Sequence, residues 1–172
     1  AFAVAVAGTV MPREDYTRQL ADYLAAVSDR GKSNAPKGQK RLMVLGSISD
    51  DMALIELIEA DGQAVVAAEN LCFGVRHDGH PIQETGDPAA ALARGYLGQS
   101  TCPRMFGLYK VRLASVLAAI ERAAIDGVVL QNIRFCDLHG SENSLFERDL
   151  EAKGIPCLKI EREYGPLVET GR

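Results

Sequence analysis

The chain has little cysteine, no long apolar run and no excess of positive charge. Four cysteines in 172 residues are too few for a disulfide scaffold, so a reducing, cytoplasmic setting is the expectation. No apolar stretch approaches the ~18 residues that a bilayer span demands, so a membrane-spanning segment is not expected. A formal net charge of -4 argues against a nucleic-acid footprint. Ala1 to Val10 is apolar but lacks a basic region and an initiating Met, which makes it a poor signal peptide. A start at Ala is instead expected of a chain cut from something longer. There is no internal repeat and no low-complexity tract. CxxC pairs, GxGxxG and a Walker loop are all missing, as is any arguable Ser/His/Asp arrangement.

What is present is a globular composition. With 47% apolar and 24% charged residues, the chain can bury a sizeable core and fits roughly one domain of ~100–200 residues. Residues 12–29 read as a helix, with Pro12 in its first turn, Glu14 and Asp15 at its positive end, and Tyr16, Leu20, Tyr23, Leu24 and Val27 at helical spacing. A Gly-, Ser-, Asn- and Pro-containing connection runs to Lys40. Four strand-like runs then alternate with helical stretches: 41–46, 63–69, 126–133 and 155–161. The helices between them are expected at 49–60 with Ser49 as N-cap, 87–96 with Asp87 as cap and Pro88 at N1, about 103–124, and 141–153 capped by Ser141 and ended by Gly154. Leu108, Val111, Leu113, Val116, Leu117 and Ile120 are the expected buried stripe of the third of these.

This alternation predicts an α/β fold: a flavodoxin-like parallel sheet of about four strands, order 2-1-3-4, with helices on both faces and an N-terminal helix before it. Residues 1–40 are then a helix and linker, and 41–172 the α/β domain. Ligands of such sheets bind outside the carboxyl ends of the strands. Cys72 follows the second strand, Cys136 follows the third, and Cys102 lies in a third connection, in Thr-Cys-Pro. Three soft ligands at one edge suggest an iron–sulfur or other thiolate site, although each cysteine alone also reads as a small structural hydrophobe, Cys72 and Cys102 more so than Cys136. Cys157, inside the fourth strand, reads as core filling. The turn of Gly46 and Ser47 after the first strand could hold an anion or be an ordinary strand–helix turn. His77, His80 and His139 fall in connections, the first two solvated. Glu69, Arg76 and Asp78 form a polar rim or a wet loop, and Arg104 and Lys110 are surface charges on a helix. The connection 70–87 is too long for a routine link and is a functional candidate.

Several stretches taken together resemble a known family. They are Arg41-Leu-Met-Val-Leu-Gly, Val65-Val-Ala-Ala-Glu-Asn-Leu-Cys-Phe-Gly-Val-Arg76, Leu92-Ala-Arg-Gly-Tyr-Leu97, Asp126-Gly-Val-Val, Arg134-Phe-Cys-Asp137 and Gly154-Ile-Pro-Cys-Leu-Lys-Ile-Glu-Arg-Glu163. Over about residues 40–172 the set resembles the 2-hydroxyacyl-CoA dehydratase D-component family, which includes cluster-bearing subunits of ATP-dependent benzoyl-CoA reductase. The Glu161-Arg-Glu-Tyr164 ending is nearer the benzoyl-CoA reductase branch.

The resemblance implies a carboxyl-terminal half of a two-domain subunit with a [4Fe–4S] cluster in the cleft between its domains. It implies pairing with a related subunit and an ATP-hydrolysing iron–sulfur activator that injects one low-potential electron. The electron passes to an acyl-CoA thioester, giving a ketyl radical that drives dehydration or ring reduction. Cys136 matches the family's cluster cysteine in Phe-Cys-Asp. Cys72 and Cys102 match cysteines of many relatives without a firm ligand role. Gly46, Ser47, Phe135 and Asp137 belong to the turns whose backbone amides are available to tune cluster sulfur. Residues 70–87 could wall the acyl pocket. A double-cubane reductase of small molecules, a cluster-less binding module and a plain nucleotide- or flavin-binding domain remain the rival readings.

Overall fold

The computed structural model describes residues 2–30, 38–49, 52–72, 74, 82–98 and 107–165. It divides into two compact units, Ala1–Gln39 and Lys40–Arg172. The first holds two helices, α1 (Phe2–Val10) and α2 (Arg13–Arg30). The small apolar run at the start, a poor signal peptide by its sequence, is helical. The Pro12 carbonyl accepts the first α2 bond from Tyr16 N at 2.9 Å. Gly8 lets α1 sit on the Tyr16 ring, where an added Cβ would lie 3.0 Å from Cζ.

The second unit is built on four parallel strands in the order β2-β1-β3-β4. The strands are β1 (Lys40–Gly46), β2 (Ala64–Asn70), β3 (Gly127–Ile133) and β4 (Cys157–Arg162). Between them lie α3 (Ala53–Glu59), α4 (Pro88–Leu97), α5 (Tyr109–Ala123) and α6 (Asp137–Glu151). The central strands are apolar on both sides because helices cover both faces. Met43, Leu45, Val128 and Leu130 pack against Val116 and Ile120 of α5 and Phe146 and Leu150 of α6. On the other face Val44 and Val129 meet Leu54 of α3 and Leu71. The flavodoxin-like arrangement is therefore present, with the strand order expected.

Local chemistry explains the element ends. Asp87 caps α4, accepting from Ala90 N at 2.9 Å, with Pro88 at its first position. At the β2 edge, Glu59 Oε1 accepts the Val66 N–H at 2.9 Å, and the register slips by one residue at Ala67.

Three expectations are corrected. Ser49 does not cap α3, which begins at Ala53 after Met52, and Ser49 is itself buried. Ser141 does not cap α6; it lies inside the helix, its hydroxyl donating back to the Asp137 and Leu138 carbonyls. α6 begins one turn earlier because Cys136, at the N-cap position, already accepts from Gly140 N at 2.8 Å. On α5, Val111 is exposed and the sheet-facing row is Arg112, Val116 and Ile120. Arg112 fits there because its guanidinium stacks on Phe146, 5.2 Å from the ring centroid, and pairs with Glu142.

The tightest point of the sheet is the end of β1. Gly46 has φ +134°, and a Cβ there would overlap the Gln131 carbonyl oxygen. Gly46→Ala is expected to cost about 3 kcal/mol, from the left-handed backbone and the clash together. A urea-denaturation midpoint unchanged from the parent would refute that.

Candidate functional site at the carboxyl edge of the sheet

Strands β1 and β3 are laced together where they end. Ser47 N donates to the Gln131 carbonyl at 3.1 Å, and the Gln131 side-chain amide donates to the Ser47 and Ile48 carbonyls. The Ser47 hydroxyl accepts from Ile133 N at 3.1 Å and donates to Asn132 Oδ1 at 3.2 Å. Gly46 and Ser47 thus form the buried floor of the edge. The Ser47 hydroxyl faces protein partners and is only 1% exposed.

Beyond β3 the chain makes a sharp turn into α6. Cys136 N donates to the Ile133 carbonyl at 2.9 Å. Phe135, between them, adopts φ +68° and is 92% exposed. A bulky residue in the left-handed region is a backbone outlier of the kind that clusters at functional sites. Phe135, Cys136 and Asp137 line an open depression of about 410 Å³ with Asn132, Gly140 and Ser141. Cys136 is half-buried, at the start of a 15-residue helix. The first-turn amides of a helix have no acceptor inside it and are available to an anionic sulfur or its ligand.

Cys72 reaches the same region from β2. Its Sγ lies 3.4 Å from Nε2 of His139, in the first turn of α6. The exit from β2 is shaped by Glu69, whose Oε2 accepts from Leu71 N at 2.8 Å, and by Gly74 at φ +128°, whose backbone lies against the Glu69 carboxylate. Cys102 lies outside the described residues, as do His77, His80, Arg76, Asp78 and Arg104 and most of the connection at 73–81. Cys157 packs against the core from β4; burial, then the Glu151 and Glu147 carboxylates, push its thiol up to about 11, as suits a core filler.

His139 is not in a connection. It sits on α6, 1% exposed, and burial followed by the Arg112 charge pulls its pKa down to about 4. Arg112 and Glu142 form a buried ion pair beneath it. None of these three was legible as a site residue, although His139, Asn143, Phe146 and Leu150 do share helical spacing and mark the buried face.

Among the described residues no three His, Cys, Asp or Glu side chains converge to hold a metal. A cluster needs about three or four thiolates. The described residues therefore do not form a whole cluster site by themselves.

Two comparisons bear on this arrangement. A family model described as 2-hydroxyglutaryl-CoA dehydratase, D-component, matches residues 1–171. It takes in the N-terminal unit, which the sequence motifs did not reach. The chain is also similar to the (R)-phenyllactyl-CoA dehydratase beta subunit of Clostridium sporogenes, at 24% identity over 156 residues, covering 89% of this chain and 40% of that protein. The chain thus spans about 40% of the length of that relative.

Two outcomes follow from the geometry. Phe135→Gly relieves the left-handed strain and removes little buried surface, so it is expected to stabilise the fold by about 0.5–1 kcal/mol; a lower urea midpoint would refute this. Burial pulls the His139 pKa in the folded chain down to about 4, below the ordinary imidazole value of 6.5 that applies when the chain is unfolded. Its share of stability is complete above pH 6.5 and is lost as pH falls toward 4. In metal-free protein the advantage over His139→Gln is expected to shrink across that window by roughly 1–3 kcal/mol. A pH-independent difference in urea denaturation would show that the imidazole is not held neutral by the fold.

Proposed function

Because the chain belongs to the 2-hydroxyglutaryl-CoA dehydratase D-component family, we propose that it is part of an iron–sulfur subunit acting on an acyl-CoA thioester. The observation that carries this reading is the position of Cys136: a half-buried thiol at the N-terminus of α6, past the end of β3 and opening onto a depression. That is the crevice at which open α/β sheets bind their ligands. In this reading Cys136 is this chain's thiolate to a [4Fe–4S] cluster, and the remaining thiolates come from outside the described residues. Such a group would supply low-potential electrons one at a time to the thioester carbonyl: after one electron a 2-hydroxyl could leave as hydroxide and pick up a proton to become water, whereas ring reduction would take a second electron and two protons.

The chain's own residues have simpler tasks. The first-turn amides of α6 have no acceptor within the helix and are available to a ligand held at Cys136, and hydrogen bonds to sulfur tune cluster potential. Gly46, Ser47 and Gln131 keep the floor rigid and dry, which holds Cys136 in place. Phe135 presents an apolar wall at the rim. Asp137, in the first turn, places a carboxylate at the positive end of the helix dipole. The relative is named as the beta subunit of a dehydratase, which supports pairing with a related subunit. An ATP-hydrolysing iron–sulfur activator is the electron donor we infer, and a cytoplasmic setting goes with it. Dehydration is favoured over ring reduction because the family description and the relative's name are both those of dehydratases.

The test is anaerobic iron and acid-labile sulfide analysis, with an absorbance spectrum, on the full-length protein and its Cys136→Ser variant. About four iron and four sulfide per cluster are expected in the parent, with loss of most of both in the variant. Iron content indifferent to Cys136, or none in the parent, would overturn the assignment.

A further inference from the structure

We propose that His139 is a positioning residue for Cys72: its Nε2–H donates to the Cys72 sulfur and holds the exit of β2 against the first turn of α6, the turn that Cys136 begins.

The argument is one of proton placement. The ring is 1% exposed, its Nε2 is 3.4 Å from the Cys72 sulfur, and its Nδ1 has no hydrogen-bond partner among the described residues. A ring buried this deeply favours its neutral form, with a single proton, because desolvation penalises the charged one. With that proton on Nδ1, a buried N–H would face no acceptor, at a cost of roughly 1–3 kcal/mol. Nε2 would then accept only from a thiol, which is a weak donor. With the proton on Nε2, the N–H points at sulfur and only a lone pair goes unpartnered. Buried sites tolerate a bare acceptor more readily than a bare N–H. The hydrogen bond that one nitrogen makes thus sets the tautomer.

A donor aimed at sulfur favours its electron-rich form. It also fixes a loop already bent back by the Glu69–Leu71 bond and the Gly74 turn, so Cys72 is held from both sides. Cys136 stands three residues before His139 on the same helix, so the ring couples two elements that carry candidate thiols. The inference does not require iron on Cys72, and it can fail while the iron–sulfur reading stands.

Both arms of the test use metal-free, full-length protein under anaerobic conditions. In the first, ring-nitrogen NMR of ¹⁵N-histidine-labelled protein is expected to show His139 protonated on Nε2, with that resonance shifted in Cys72→Ala. A proton on Nδ1 overturns the proposal and needs no variant. In the second, iodoacetamide modification of Cys72 at one neutral pH is followed by peptide mass spectrometry. His139→Leu is expected to slow it about fivefold to tenfold, and His139→Gln, which keeps an N–H near the Nε2 position, to restore most of the rate. A purely packing role predicts the opposite sign, because loosening the loop exposes the thiol. A rate unchanged or raised in a folded His139→Leu overturns the proposal.

Discussion

The approach of β1 to β3 at their carboxyl ends is the constraint on which the rest of this edge depends. Gly46 can lie against the Gln131 carbonyl only because it has no Cβ. That approach brings Ser47 into reach of Ile133 and Asn132, and Gln131 into reach of the Ser47 carbonyl. With the strand ends locked, the turn through Phe135 leads straight into α6, and Cys136 emerges at its start. A looser pairing would leave Ser47 and Gln131 as buried polar groups without partners, which a low-dielectric interior penalises strongly.

A second layer of polar chemistry lies under the first. α5 and α6 place Arg112, Glu142, His139 and Asn143 on faces that otherwise carry the core residues Val116, Ile120, Phe146 and Leu150. A buried ion pair is a poor source of stability compared with apolar packing of the same volume. Its effect here is to fix which charge states its surroundings can adopt. The Arg112 guanidinium opposes a proton on His139, and Glu142 balances the guanidinium.

The sheet was legible because β1 and β3 are continuous apolar runs separated by helical periodicity, and four such units in one order leave few topologies open. Asp87-Pro88 announced α4 because cap and first-turn chemistry are local. The start of α6 was misread because Cys-Asp-Leu-His-Gly looks like a loop. Gly140 is in fact tolerated inside the helix, where an added Cβ would lie 3.4 Å from Asn132 Nδ2. Arg112 and His139 were passed over for a related reason. Arg112, on a helix, reads as solvent-facing unless its partner Glu142 is known, and the late start expected for α6 left His139 in a connection, far in sequence from Cys72. Cys136 was legible as a position and from the Phe-Cys-Asp motif. Its openness, and the left-handed Phe135 beside it, are properties of the folded turn.

The bond from Val66 to Glu59 has a consequence for the sheet as a template. β2 is the outer strand next to β1, and an outer strand ordinarily offers a regular row of donors and acceptors to any passing chain. Here a carboxylate occupies one of those donors, and the register slip at Ala67 falls immediately after it. A strand adding at that margin would have to displace a charge and then absorb a break in spacing. Among the described residues, growth of the sheet on this side is opposed by one side chain and one extra residue, with no further strand paired there.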